Sequence, residues 1–170
     1  ECRPCQAADI AFDYLIERYR ISSLAILEYH LHIPLPDPLS NSDAEKRGEY
    51  YGVNSTPTAV FGGTTVITSG GNKLMAKNKF FLYSDIIERQ LKRPSTMSLK
   101  MTASMNNDIV NIRINTVSTT RNNNLKLRIA VVEDEVSYKG ANGIEHHKFV
   151  VRKMINSAEG FSLPVNGKIS

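Results

Sequence analysis

Tryptophan is absent from this chain of 170 residues, and cysteine occurs only twice. Two cysteines cannot staple a disulfide-dependent scaffold, and a bond between Cys2 and Cys5 closes a loop too short to restrict the unfolded chain much. If these two pair, the bond serves chemistry. Missing too is any apolar run near the ~20 residues needed to span a bilayer, and no signal-peptide pattern is visible. No transmembrane segment is expected, and the start at Glu1 reads as a processed or trimmed end. Lysine and arginine never cluster, so the net charge of +4 builds no patch for nucleic acid or an acidic membrane. A nucleic-acid partner is not expected. Internal repeats and low-complexity tracts are also lacking, and the length suits one medium domain or two small ones.

What is present falls into two halves with different periods. Ala8, Ala11, Phe12, Leu15, Ile16 and Tyr19 follow the spacing of one helical face, and Pro4 suits a first helical turn. Residues 23–33 alternate apolar and polar positions as a strand does, until "IPLPDP" breaks them. Ser42 and Glu45 are spaced as a capping box for a short helix stopped by Gly52. "TPTAVFGGTTVIT" reads as two strands joined at Gly62 and Gly63, and Phe80, Tyr83, Ile87 and Leu91 mark a last helix before Pro94. After "KRPSTM" the period becomes two and stays so. Leu99, Met101, Ala103 and Met105, then Val110, Ile112 and Ile114, then Leu125, Leu127, Ile129 and Val131 predict an antiparallel β-sandwich, with turns at "NND", "RNNN" and "GANG".

A Cys-x-x-Cys pair at a helix N-terminus has a physical logic. Unpaired N–H groups and the positive end of the helix dipole favour thiolate at Cys2, while Cys5, one turn further in, is sheltered and can resolve a mixed disulfide. Arg3 adds a nearby positive charge. The same spacing is also half a zinc site, and His30 and His32, on one side of the expected strand, are the alternative partners of Cys2 and Cys5 in such a site.

About fifty residues later comes "STPT", directly before the Gly-Gly hairpin. This combination resembles the thioredoxin-like superfamily. The order of elements through Leu91 matches, and "YHLHIPLPDP", "YYGVNSTPT" and "VVEDEVSYKGANGIEHHKFVVR" look like extracytoplasmic bacterial thioredoxin-like proteins with a β-rich C-terminal half, a layout shared by Omp28-related proteins. The resemblance implies an α/β thioredoxin-like domain over residues 1–95 and a β-sandwich-like domain, incomplete at its end, over 96–170. It implies that Cys2 attacks, Cys5 resolves, Pro57 is a cis-proline, and Thr56 pairs with the substrate backbone. It also implies a strand ahead of the cysteines, which this chain lacks, so the sequence is expected to be a fragment or to fill that place by other means. The buried acid that such proteins use for proton transfer cannot be placed, and Glu28 is a substitute candidate.

Other features read more plainly. His146 and His147 are adjacent, so on a strand they face opposite ways and read as a surface and a semi-buried position. Glu133, Asp134 and Glu135 alternate in direction and lack the loop spacing of a calcium site. Tyr50, Tyr51 and Phe61 read as core. The expected function is thiol-disulfide exchange with protein thiols and disulfides, with no organic cofactor or metal, outside the cytoplasm in the periplasm or cell envelope. The alternatives are the zinc site and a non-enzymatic envelope protein that holds a protein partner through its β-rich half.

Overall fold

Helix α1 (Gln6–Arg18) carries Ala7, Ala8, Ala11 and Leu15 on one buried face, and a short 3-10 turn over Arg3–Cys5 leads into it. The structure, a computed structural model, describes residues 2–118, 125–155, 157–163 and 168–169. Helix α2 (Ser42–Tyr50) starts from Asn41, whose side chain accepts the N–H groups of Asp43 and Ala44. The cap is thus one residue ahead of the expected Ser42, because Glu45 is drawn away: its carboxylate accepts the His32 N–H at 2.8 Å and the Ser40 hydroxyl at 2.7 Å. Strands β1 (Thr58–Phe61) and β2 (Thr65–Thr68) pair across Gly62 and Gly63, whose φ values of 56° and 74° suit glycine. Helix α3 (Ala76–Leu91) packs Tyr83, Ile86 and Ile87 with Ala11 and Leu15 of α1 and Ala59 and Phe61 of β1. Each large side chain buried there contributes about 1.5–3 kcal/mol.

Among the described residues the remaining strands form three sheets. Strands β3 (Met97–Asn106) and β4 (Ile109–Ser118) make a long hairpin, with β9 (Lys168–Ile169) beside β4. Strand β5 (Lys126–Leu127) pairs with β8 (Phe161–Ser162), and β6 (Ile129–Ser137) pairs with β7 (His146–Ile155) across a bulge at Val131 and Val132. Ile114, Leu127 and Leu163 form a second, smaller core. The expected turn at 121–124 lies outside the described residues.

Residues 23–33 differ from expectation. Among the described residues they form no ladder, only one parallel bridge from Glu28 to Val150 of β7. Alternation in sequence specifies an extended chain with two faces, whereas a ladder also needs a neighbour over several residues. Here β7 comes alongside at Glu28 alone, where Phe149 takes the left-handed φ of 55°.

The β6–β7 hairpin and the segment after it close onto the first two helices through polar contacts. Lys148 meets Asp13 at 2.9 Å, Asn41 Nδ2 donates to the Val151 carbonyl at 2.7 Å, and Arg47 Nη1 donates to the Ala158 carbonyl at 3.0 Å. Val150, Val151 and Met154 are buried at this seam.

Candidate functional site

A cavity of about 570 Å³ opens beneath α1, between residues 23–31 and β1, with part of its wall supplied by the loop after β6 and the start of β7. Cys2 and Cys5 stand at its edge, joined as a disulfide with their Cα atoms 5.4 Å apart. Their turn is pinned from the far side. Gly71 donates its N–H to the Pro4 carbonyl at 2.9 Å, and Ala7 donates to the Gly71 carbonyl at 3.2 Å. Gly70 makes this approach possible, since a Cβ there would stand 2.6 Å from Pro4 Cβ. Gln6 fastens the turn to the other half, donating to the Asn142 carbonyl at 3.0 Å and accepting the Lys73 N–H at 2.9 Å.

Thr56 and Pro57 line the same cavity. The Thr56–Pro57 peptide is cis, as is Ile33–Pro34, and the Thr56 hydroxyl donates to the Ile33 carbonyl at 2.8 Å, joining these two prolyl segments. Arg3 is exposed and does not line the cavity.

Deeper in the wall, Glu28, His30 and His147 converge. Glu28 Oε1 lies 3.1 Å from His30 Nε2 and 3.6 Å from His147 Nδ1, and neither nitrogen has a hydrogen-bond partner. The other imidazole nitrogens are well held: His30 Nδ1 is 3.0 Å from Asp37 Oδ2, and His147 Nε2 is 3.1 Å from the Tyr138 carbonyl. Asp37 also accepts the Leu39 N–H at 2.8 Å. Burial opposes the charged form of each group, yet the groups offset it for one another. The His30 imidazole is pushed down by burial and up by Asp37 and Glu28, and it ends at about 9. Burial raises Glu28 while His147 and His30 lower it, leaving it below the ordinary carboxylate value. Asp37, raised by burial and lowered by His30 and the Leu39 N–H, ends well below that value.

Asp9 follows Cys5 by one helical turn and faces the cavity, where its Oδ2 accepts Asn142 Nδ2 at 3.0 Å. Burial, then the charge of Glu28, raises this carboxyl to about 7, with His147 and His30 opposing. Asp9 and His147 were not among the residues expected from sequence. Asp9 had a signal, being an acid in the apolar stretch of α1 at i+4 from a cysteine. His147 had none beyond its neighbour: His146 points out to Glu135 at 3.1 Å, whereas His147 is only 6% exposed.

Cys2, Cys5, Thr56, Pro57, Glu28 and His30 therefore share one cavity wall. His32 does not line it; its Nδ1 accepts the Asp37 N–H at 2.9 Å. Comparison with family models, with curated proteins and with solved structures finds no match to this chain. No helix among the described residues is long and apolar enough to cross a membrane.

Proposed function

We propose that this protein is a thiol-disulfide oxidoreductase of thioredoxin-like type that exchanges its Cys2–Cys5 disulfide with protein thiols outside the cytoplasm. The observation that carries the reading is the shared cavity: a disulfide at the head of α1 and the cis Thr56–Pro57 segment open onto the same space. In the oxidising direction a substrate thiolate attacks Cys2 Sγ, the Cys2–Cys5 bond breaks, and Cys5 leaves as a thiolate. Asp9, one turn on, is placed to hand that thiolate a proton and to take it back in the reverse direction. A second substrate thiolate then attacks the substrate sulfur of the mixed disulfide, forming the substrate disulfide and releasing Cys2. Two substrate thiols are oxidised and one protein disulfide is reduced. Thr56 presents its backbone to the substrate chain, and the β-rich domain positions the partner. The oxidised pair suits an oxidising compartment.

The test is trapping. A Cys5→Ser variant incubated with a reduced protein substrate and an oxidant should accumulate a mixed disulfide through Cys2, seen as a mass adduct that dithiothreitol removes. Absence of any adduct through Cys2 would refute the reading.

A second reading, a non-enzymatic envelope protein, is favoured by the β3–β4 hairpin. Leu99, Met101 and Met105 share one side of β3, and all are exposed, Met105 by 76%, as is Ile109 at the tip. If this reading holds, partner capture by the intact protein is lost on Met101→Ser with Met105→Ser and is indifferent to Cys2→Ser.

A further inference from the structure

The proton positions around His30 and His147 are fixed by their neighbours. A carbonyl oxygen only accepts, so the Tyr138 oxygen, 3.1 Å from His147 Nε2, takes the proton of that nitrogen and Nδ1 is turned to Glu28. The carboxylate of Asp37 likewise accepts the proton of His30 Nδ1, so Nε2 carries the second proton of the imidazolium, and that is the proton a metal ion would replace. His30 Nε2 and His147 Nδ1 are both buried and without a hydrogen-bond partner, and both face one oxygen of Glu28. One ligand atom from each of Glu28, His30 and His147 thus lies within 4.8 Å of the other two. Such a set needs a positive centre, supplied by the proton on His30 or by a metal ion in its place.

We propose that Glu28, His30 and His147 bind one divalent transition-metal ion, zinc by its donor set. Ligand atoms about 2.0–2.2 Å from zinc stand roughly 3.4 Å apart on a tetrahedron. The contacts of 3.1 and 3.6 Å from Glu28 fall on either side of that spacing. Two imidazoles and one carboxylate suit zinc, whereas calcium and magnesium prefer oxygen alone. The outer partners are those a metal-bound histidine uses: a carboxylate, itself fixed by the Leu39 N–H, on one ring and a backbone carbonyl on the other. The ligands come from distant stretches of chain, yet the bonds of the Glu28 backbone to Phe149 and Val151, each 2.9 Å, set them side by side. Three protein ligands leave a fourth position, and the cavity is where it opens. The cysteines are not part of this set, so the site stands whether or not the exchange reading does.

The protein is stripped with a chelator, its disulfide kept oxidised and confirmed by mass, and dialysed against zinc chloride. One zinc per chain is expected. His147→Gln and Glu28→Gln should weaken binding by more than about 100-fold, and Asp37→Asn by about 10–100-fold. His32→Gln and His146→Gln should bind as the parent does, and circular dichroism checks the fold of each variant. Should a ligand variant unfold, imidazole nitrogen NMR of the unaltered protein decides: zinc should shift His30 Nε2 and His147 Nδ1 together. Failure of the oxidised protein to retain zinc, equal retention by the folded ligand variants, or zinc-dependent shifts at other histidines alone would overturn the proposal.

Discussion

Val151 donates its N–H to the carbonyl of Glu28 at 2.9 Å, while Glu28 donates to the carbonyl of Phe149, so Glu28 lies beside Val150 as in a parallel pair. Val150 itself is fully buried. This is the point at which the β-rich half is keyed to the cysteine-bearing half. Val150→Ala should therefore cost about 1–3 kcal/mol in urea unfolding, with a single transition followed by both circular dichroism and tyrosine fluorescence. Two separate transitions in the parent protein would contradict this keying.

Asp43 makes a second tie across the same seam. Its Oδ2 accepts the Met154 N–H at 2.9 Å and lies 3.2 Å from Lys153 Nζ; the Met154 bond, then Lys153, hold the carboxyl below its ordinary value of 3.8 against the opposing effect of burial. A carboxyl depressed by folding adds stability that is complete above the unfolded value and is lost as pH falls through the folded one. Asp43→Asn should be destabilised by about 1–3 kcal/mol at neutral pH. The gap to the parent should close as pH drops below about 4, as read from urea midpoints across pH.

Gly70 sets the distance between the cysteine turn and the loop before α3. In Gly70→Ala the new Cβ meets Pro4 Cβ at 2.6 Å and the Pro4 carbonyl oxygen at 3.3 Å. Two ring and backbone atoms cannot swing aside, so the turn must move. A loss of about 1–3 kcal/mol in thermal unfolding, with slower disulfide exchange, is the expected result.

For Asp9 the sign is reversed. Burial raises this carboxyl to about 7, so the folded protein holds a proton that the unfolded chain has released, and stability falls as pH rises from about 4 to 7. Asp9→Asn should remove that slope and be the more stable protein at pH 8. It should also slow exchange on the order of 10–100-fold and abolish an inflection near pH 7 in the rate. An unchanged pH–rate profile would remove Asp9 from the proton path.

Several elements were legible in the sequence because their signals are local. The apolar face from Ala8 to Leu15 lies in α1, Gly62 and Gly63 join β1 to β2, and α3 ends before Pro94. The cap of α2 is Asn41, one residue ahead of the Ser42 that the spacing predicts, because Glu45 has its partner in the His32 N–H, which a local pattern does not contain. The alternation of residues 23–33 predicts a strand, and only the placement of β7 shows why one bridge forms. The histidine pairing was the least legible. His30 finds its neighbour in His147, at a ring separation of 5.1 Å, through a register between distant segments, whereas the sequence offered the nearer His32. Chemistry along one turn can be read from spacing, but convergence across the seam cannot.

The central claim is that Cys2 exchanges disulfides. The most direct measurement is insulin reduction by dithiothreitol, followed by turbidity, with the intact protein and with Cys2→Ser, both verified as folded. Thiol-disulfide exchange predicts a clear acceleration by the intact protein that Cys2→Ser lacks. Equal rates for the two proteins would contradict it.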